Sequence, residues 1–382
     1  MRVLTVVGAR PQYIKAAPLS KELLKVGIEE ILVDTGQHYD PQMAGIFFAE
    51  LGLPEPSHSL GVGSGPHGQM TGRILERLEE VIVDVEPEAV VVFGDTNSTL
   101  AGALAAAKMS LPVIHIEAGL RSFRSSMPEE INRKLTDHIS SVLLCPNSQA
   151  VDNLKREGIA DNGVGSGLIS VDEIKHQFKR KKPFVCNVGD IMVDGLNSIK
   201  NVDVEIDGIG DVVNGDYVLV TLHRAESTDD SQVFKGMIDR IIDLSKRISV
   251  VFPIHPRTLK KLHETGLFNI LKQADVQMLE PLSYAQFVKL QSNARVIVTD
   301  SGGVQKEAYL LSRPCVTLRD ETEWTETVKA GWNQLIGRKP ENLVETVLSA
   351  KVPDEPQVNL FGDGKAASRI AQCISSVKYT LQ

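Results

Sequence analysis

The eight residues from Asp300 to Glu307 combine side chains suited to binding a phosphate and a sugar. Gly302 and Gly303 come where an apolar strand is predicted to enter a helix, and glycine lets backbone N–H groups approach a ligand closely. With Ser301 they mark a helix N-terminus, which favours negative charge. Glu307 comes about one turn later, where a carboxylate suits ribose hydroxyls better than a phosphate. The pattern predicts a nucleotide diphosphate site; the alternative is an ordinary tight turn with a surface glutamate.

Three carboxylates, Asp95, Glu117 and Glu129, follow consecutive elements and are expected to meet in one crevice. Asp95 follows the apolar run 89–93 and precedes a helix, so helix N-cap is its alternative role. Glu117 follows the predicted strand 112–116 and should project from the strand end, which a structural role explains less well. Glu129 opens a predicted helix, where a carboxylate also favours the helix dipole. Acids that share a crevice raise one another's pKa values, which suits acid–base chemistry near neutral pH.

Basic side chains are also found at predicted helix starts and just after predicted strands. Arg10 and Lys15 flank the start of the first helix, where a phosphate would be favoured. His223 directly follows a strand in the second half of the chain, and we expect it to contact a ligand. His115 and Glu117, together with His255, raise the question of a metal, but no HxxxH or Cys/His spacing supports one, so we predict no metal site.

The elements that must position these residues alternate between strand-like and helix-like patterns. Short Val/Ile-rich strands separated by helices predict parallel sheets covered on both faces. A long irregular region, roughly 160–215, predicts two doubly wound domains in tandem. Ligands of such sheets bind at the carboxyl ends of the strands, which is where the polar residues lie. The predicted strands are 2–7, 30–34, 88–93, 112–116, 141–145, 217–221, 249–253, 295–299 and 314–318.

Composition excludes several classes of protein. The 382 residues, 42% hydrophobic and 24% charged, are typical of a globular protein with two or three domains. The net charge of −8 argues against a nucleic-acid partner, which requires a basic face. The chain enters a strand at once without a signal-peptide pattern, and no apolar run approaches the roughly 20 residues of a membrane span. We therefore expect a cytoplasmic protein with no membrane partner, whose four cysteines are buried free thiols.

With these motifs in this order along the chain, the sequence resembles the non-hydrolysing UDP-N-acetylglucosamine 2-epimerase family over nearly its whole length. The matching stretches are VGARPQYIK at 7–15, TGQH at 35–38, GDT at 94–96, HIEAGLR at 115–121, PEEINR at 128–133, HRAE at 223–226 and TDSGGVQKE at 299–307. The resemblance implies an α/β fold of two Rossmann-like, doubly wound domains of the glycosyltransferase-B type, with the active site in the interdomain cleft. The implied domains are 1–185, which carries the carboxylates, and 186–362, which binds UDP, with the C-terminal helix 363–382 crossing back onto the first. A homodimer is implied as well.

The family's roles carry over position by position. The resemblance implies acid–base work for Asp95, Glu117 and Glu129, and stabilisation of the leaving diphosphate by His223. It implies inversion of carbon 2 of a UDP-2-acetamido sugar through loss of UDP, a 2-acetamidoglucal intermediate and re-addition of UDP. No metal or nicotinamide cofactor is implied. The implied contacts to substrate or UDP are Arg10, Lys15, Gln37, His38, Arg121, Arg133, His255, Ser301, Gly302, Gly303 and Glu307.

Two departures from the family pattern bear on the substrate. Tyr39 and Ala225 stand where many members that use UDP-N-acetylglucosamine have arginines. In the bacterial enzymes that bind a second UDP-N-acetylglucosamine as an activator, the segments around these two positions help to form the activator site. The stretches GARPQ at 8–12, SGPHG at 64–68 and DETEW at 320–324 resemble a subgroup instead. It includes epimerases of UDP-2,3-diacetamido-2,3-dideoxy-glucuronic acid in surface-polysaccharide pathways such as lipopolysaccharide O-antigen synthesis. The cations expected for the extra substrate carboxylate are Arg121, Arg124 or Arg319.

Four other classes of protein share parts of this pattern. A glycosyltransferase of the same fold would bind a UDP-sugar but pass the sugar to an acceptor, and the three carboxylates argue against it. A hydrolysing epimerase would release free N-acetylmannosamine and UDP, and the sequence separates it only weakly. A nicotinamide dehydrogenase is disfavoured because no Gly-x-Gly-x-x-Gly follows a strand. A catalytically silent nucleotide-sugar sensor would be expected to lack the acids. The segment 160–184 is longer than the family norm, and the sequence assigns it no role.

Overall fold

A computed structural model describes residues 1–37, 48, 50–159, 167–169, 183–206, 209, 216–355 and 357–377. His38, Tyr39 and most of the segment 160–184 lie outside the described residues. The chain divides into two compact units, Met1–Ile199 with Asn359–Gln382, and Lys200–Val358. No helix in the described ranges is long and apolar enough to cross a membrane.

The first unit is built on one parallel sheet. Its strands are β1 Arg2–Val7, β2 Glu29–Asp34, β3 His58–Ser59, β4 Ala89–Phe93, β5 Val113–Ile116, β6 Val142–Cys145 and β7 Phe184–Asn187. Their order across the sheet is β3-β2-β1-β4-β5-β6-β7, and each neighbouring pair is parallel. The helices of this unit are α1 Arg10–Lys25, α2 His67–Val85, α3 Asn97–Lys108, α4 Pro128–Ile139, α5 Ser148–Arg156, α6 Ile191–Ile199 and, near the end of the chain, α15 Ala366–Val377.

Helices cover both faces of the central strands, so every residue of β4 is buried. The alanine-rich helix α3 packs directly on β1 and β4. A Cβ at Gly102 of α3 would lie 3.2 Å from side-chain atoms of both Val6 and Val92, so the absence of a side chain there permits the close approach. This packing fixes the position of the turn between β4 and α3.

The second unit repeats the architecture with six strands among the residues that the structure describes. They are β8 Tyr217–Thr221, β9 Ser249–Pro253, β10 Val276–Leu279, β11 Val296–Thr299, β12 Cys315–Thr317 and β13 Asn333–Leu335, in the parallel order β10-β9-β8-β11-β12-β13. Its helices are α7 Ala225–Thr228, α8 Ser231–Ser245, α9 Pro256–Glu264, α10 Leu267–Gln273, α11 Tyr284–Asn293, α12 Gly302–Leu310, α13 Thr325–Lys329 and α14 Leu343–Ser349.

The structure confirms the nine predicted strands to within one residue at each end. It adds four strands, β3, β7, β10 and β13, and all four lie at sheet edges. Edge strands are short and often carry polar residues, so they lack the continuous apolar run that marks a central parallel strand. The four cysteines are buried and free of disulfides, as expected.

The first unit extends to Ile199, past the boundary expected at residue 185. The reason is that β7 pairs with β6 in the first sheet, and α6 packs against α1. Helix α15 packs on α1 and α6, and the backbone N–H groups of Ala366 and Ala367 donate to the Asp194 carboxylate at 3.2 and 3.0 Å. The last helix therefore belongs to the unit that carries the candidate carboxylates.

Candidate active site

The carboxyl ends of β4 and β5 bring Asp95 and Glu117 together. Gly94, between β4 and Asp95, has φ +65°, and a Cβ built there would lie 3.1 Å from a carboxylate oxygen of Glu117. The N-cap of α3 is Thr96, whose hydroxyl accepts from the N–H of Thr99 at 3.2 Å. The alternative role of Asp95 as a helix cap is therefore wrong, and its side chain remains part of the carboxylate cluster.

Glu117 is held in a strained backbone conformation. Its φ of +71° lies in the left-handed region, which costs a residue with a side chain about 1–3 kcal/mol. Its N–H donates to the carbonyl of Leu144 at 3.0 Å, and its carboxylate forms an ion pair with Lys15 of α1. The two side chains are 13% and 8% exposed. Such strain is found mainly at functional sites, and here it directs an acid towards the β4 turn.

Arg133 of α4 connects Asp95 to the start of its own helix. Its guanidinium pairs with Asp95 and donates to Glu130 at 3.2 Å. Glu130 is fully buried and accepts from the N–H groups of Ser122 and Phe123 at 2.8 and 3.2 Å, which anchors the loop before α4. No sequence signal marks this anchor, because an acid in the first turn of a helix is ordinarily assigned to the helix dipole.

The pKa values of Asp95 and Lys15 are both raised, for different physical reasons. Burial raises the pKa of Asp95, and the charges of Glu117 and Glu129 add to the rise that Arg133 and Lys15 oppose. For Lys15, burial alone would lower the pKa, but the adjacent Glu117 raises it overall. Lys15 therefore stays protonated against Glu117, while Asp95 retains a proton to higher pH than an exposed aspartate. Glu129 is half-buried at the start of α4.

A buried polar cluster supports the β4 turn from behind. His115 contacts Asp137 through Nδ1 at 2.7 Å and the carbonyl of Gly94 through Nε2 at 2.8 Å. Arg121 forms ion pairs with Asp137 and Glu157, both at 2.7 Å, and its side chain is fully buried. Burial would raise the pKa of Asp137, but His115 and Arg121 lower it overall. The donors of Arg121 serve two carboxylates and its side chain is inaccessible to solvent, and its contact with the substrate stays a prediction.

The first helix begins at Arg10, and its N-cap, Ala9, offers no side-chain cap. Arg10 is half-buried there. Gln37 is buried, and its Oε1 accepts from the N–H and the hydroxyl of Ser98 in α3 at 3.0 and 2.7 Å. These contacts hold Gln37 against α3, and its contact with a ligand stays a prediction. His38, the next candidate, lies outside the described residues.

In the second unit the turns after β8 and β11 are joined by Asp300. This fully buried carboxylate accepts from the N–H of His223 at 3.2 and 3.1 Å and from that of Arg224 at 3.0 Å. The His223 side chain is 38% exposed, and its ring centroid lies 5.4 Å from that of His255. His255 is exposed and caps α9 by accepting from the N–H of Arg257 at 3.2 Å. The sequence singled out both histidines, but the support of His223 by Asp300 depends on the pairing of β8 with β11.

The predicted turn before α12 is present, with Ser301 as the N-cap. A Cβ on Gly302 would collide with the carboxylate of Glu323, so a side chain at this position would require that carboxylate to move. Glu323 also forms an ion pair with Arg319 at 2.8 Å. Arg319, one of the cations expected to bind a substrate carboxylate, therefore already pairs with a carboxylate of the chain. Gly303 is exposed in the first turn of α12. The glycines do permit a close approach, and the group that approaches Gly302 is a carboxylate of the chain itself.

Glu307 lies further along α12 and is only 6% exposed. Its Oε1 accepts from the hydroxyl of Tyr284 at 3.1 Å and its Oε2 from the amide of Gln291 at 2.8 Å. The alternative of a surface glutamate on an ordinary turn is therefore wrong.

Among the described residues, no three His, Cys, Asp or Glu side chains are grouped to hold a metal ion.

Two parallel α/β units, one with paired acids after adjacent strands and one with a glycine turn before a helix, define an enzyme of the glycosyltransferase-B fold class. The structure of the glycosyltransferase SnogD from Streptomyces nogalater shares this fold, with a TM-score of 0.52 at 14% identity over 100% of this chain and 98% of that one.

The family model for UDP-N-acetylglucosamine 2-epimerase matches residues 21–375, and the chain belongs to this family of isomerases. The UDP-2,3-diacetamido-2,3-dideoxy-D-glucuronate 2-epimerase of Pseudomonas aeruginosa is 43% identical over 99% of this chain and 100% of its own length. The crystal structure of Methanocaldococcus jannaschii UDP-GlcNAc 2-epimerase in complex with UDP-GlcNAc and UDP is 40% identical, with a TM-score of 0.83 over 98% of this chain and 99% of that one. The resemblance drawn from the motifs is confirmed.

Proposed function

We propose that this protein inverts carbon 2 of a UDP-2-acetamido sugar and returns the sugar still joined to UDP. The observation that carries the proposal is the pair of partly buried acids, Asp95 and Glu117, at the ends of adjacent strands, each with its own cation. A glycosyltransferase has no need of two acids that exchange a proton with carbon. The nucleotide-sugar substrate is supported by the relatives of known activity.

The proposed reaction begins with the bond between carbon 1 and the diphosphate, because the proton on carbon 2 is not acidic in the intact sugar. The C1–O bond breaks and its electron pair leaves with UDP, which makes carbon 1 electron-poor and the proton on carbon 2 removable. Loss of that proton forms a C1–C2 double bond, giving a 2-acetamidoglucal. Protonation of carbon 2 on the opposite face and attack of the UDP oxygen on carbon 1 then yield the epimer.

Two faces of the sugar require two proton-transfer groups. We assign removal of the proton to Glu117, whose carboxylate faces the protonated Lys15, and delivery to Asp95, whose pKa is raised by burial. In the reverse direction the two exchange roles. Glu129, half-buried at the start of α4, is the third acid of the proposal. Its negative charge helps to raise the pKa of Asp95.

UDP binding is assigned mainly to the second unit. The leaving diphosphate requires fixed positive charge and N–H donors, which His223 and the start of α12 at Ser301, Gly302 and Gly303 supply, together with Arg10 of the first unit. Glu307 is assigned to the ribose hydroxyls. His255 lies beside His223 and extends this surface. A cytoplasmic location and a homodimer stay predictions from the sequence.

Turnover in D₂O should place one deuterium at carbon 2 and leave the UDP-sugar intact, because the proton removed from one face exchanges with solvent before the other face is protonated. Proton NMR should show loss of the H2 signal, and phosphorus NMR should show the diphosphate unchanged. Stoichiometric accumulation of UDP and free sugar would instead assign the protein to the hydrolysing class.

We further propose that the preferred sugar is UDP-2,3-diacetamido-2,3-dideoxy-glucuronic acid, in a surface-polysaccharide pathway. Identity alone does not decide this, because the P. aeruginosa enzyme for that sugar and an M. jannaschii UDP-N-acetylglucosamine 2-epimerase are 43% and 42% identical to this chain. The argument rests on Ala225 and on the 320–324 segment, in which the Glu323 carboxylate lies against Gly302 at the start of α12.

The ratio of kcat/KM for this sugar to that for UDP-N-acetylglucosamine should exceed one. Ala225 is exposed at the start of α7, so Ala225→Arg should be tolerated and should lower the ratio, since it restores the arginine of many UDP-N-acetylglucosamine enzymes. Equal or better use of UDP-N-acetylglucosamine by the unmodified protein would contradict the proposed preference.

A further inference from the structure

The carboxylate of Glu307 is held at both oxygens by neutral donors from one neighbouring helix. Tyr284 donates to Oε1 at 3.1 Å and Gln291 donates to Oε2 at 2.8 Å. The two donors are seven residues apart on α11, which places them on the same helix face two turns apart, and α11 packs against α12. Their side chains are essentially inaccessible to solvent, at 1% and 0% exposure.

The Gln291 amide has one well-satisfied end and one unsatisfied end. Its Nε2 serves Glu307, whereas its Oε1 is buried without a hydrogen-bond partner. A flipped amide would turn that oxygen towards the carboxylate, where two acceptors repel, so the orientation is set by Glu307. A buried polar atom left unsatisfied is uncommon and calls for an explanation. Here the structure tolerates it in order to keep a donor on the carboxylate.

We propose that Tyr284 and Gln291 are positioning residues that make the nucleotide site specific for ribose over 2′-deoxyribose. The inference rests on the proposed function, which assigns Glu307 to the ribose hydroxyls. Because Tyr284 and Gln291 are neutral, they orient the carboxylate without neutralising its charge.

Orientation matters because discrimination depends on what happens when a hydroxyl is missing. A carboxylate fixed from behind cannot turn to find another donor, so a 2′-deoxyribose leaves one of its sites unpaired in a buried place. A carboxylate released from Tyr284 or Gln291 can turn, so its hydrogen bond to the 2′-hydroxyl weakens and UDP loses affinity, whereas 2′-deoxy-UDP, which lacks that hydroxyl, loses little. Substitution of either residue should therefore lower the affinity for UDP, and with it the ratio of the UDP affinity to the 2′-deoxy-UDP affinity, while the affinity for 2′-deoxy-UDP changes less.

The test is calorimetric binding of UDP and 2′-deoxy-UDP to the full-length protein and to Tyr284→Phe and Gln291→Met. The unmodified protein should bind UDP about 10- to 100-fold more tightly than 2′-deoxy-UDP, the range for a hydrogen bond to a charged group. Each variant should lower this ratio by about 3- to 10-fold, chiefly through weaker UDP binding. Glu307→Gln should bring it close to one.

Tyr217→Phe is a matched control. The Tyr217 hydroxyl is also buried in the second unit and donates to the carbonyl of Leu290 on α11 at 2.6 Å, but it does not contact Glu307. It should lower the melting temperature much as Tyr284→Phe does and leave the ratio unchanged. If one of the two test variants fails to fold, the other alone decides the outcome.

Two results would overturn the proposal. One is a ratio near one in the unmodified protein, which would mean that Glu307 does not distinguish the two sugars. The other is an unchanged ratio in a folded variant, with both affinities reduced in parallel, which would make the two side chains merely structural. Either result leaves deuterium incorporation at carbon 2 intact, whereas a failure of the proposed function itself would appear there.

Discussion

Glu117→Gln should lower kcat by about 10²–10⁴-fold, because glutamine keeps the shape of the side chain but cannot accept and return a proton. The affinity for UDP alone should barely change, since the proposed contact of Glu117 is to the sugar. The measurements are steady-state turnover by NMR and calorimetry with UDP. Near-normal turnover in the variant would remove Glu117 from the proton transfer.

The ion pair with Lys15 complicates this experiment and also defines its control. Glu117→Gln leaves a buried ammonium without its charge partner, so the variant should lose stability as well as rate. Turnover must therefore be measured well below its melting temperature. Asp194→Asn is the matched control, because it makes the same acid-to-amide change at a buried site that caps α15 and touches neither proposed acid. It should alter the melting temperature and leave kcat near that of the unmodified protein.

Lys15→Met should lower the free energy of unfolding by about 3–5 kcal/mol, the range for removing one partner of a buried ion pair. The methionine keeps most of the volume, so the loss comes mainly from the Glu117 charge left buried beside Gly94. Urea denaturation at 25 °C measures the effect.

The double variant Lys15→Met with Glu117→Gln completes a thermodynamic cycle. Removing both charges should recover part of the stability, so the double variant should be less destabilised than the sum of the two single variants. Strict additivity, with a loss well below 3 kcal/mol in Lys15→Met, would mean that this ion pair does not determine the stability of the site.

The strands of the two sheets could be predicted wherever they are buried on both faces. β4 and β8 consist almost wholly of apolar residues, and such runs are recognisable without any knowledge of their neighbours. The edge strands β10 and β13 could not be predicted, because each carries polar or half-exposed residues. Their pairing depends on the rest of the sheet being in place.

The candidate acids could also be placed from the sequence, because parallel sheets carry their functional residues just after the strands. Asp95, Glu117 and the glycine turn before α12 were found by that rule. The rule does not say what a side chain touches once it is there. Arg121 follows a strand as Glu117 does, yet it is buried between two carboxylates.

The sequence by itself determined the two α/β units, the family and the positions at which chemistry is expected, because each depends on local apolar patterns or short motifs. Only the tertiary structure decided which groups are paired. Lys15 and Glu117 are 102 residues apart in the chain, and Arg133 and Asp95 are 38 apart. The partners of Glu307 come from a different helix. Such contacts depend on how helices and strands pack, and the burial that results is what raises the pKa of Asp95, the proposed acid.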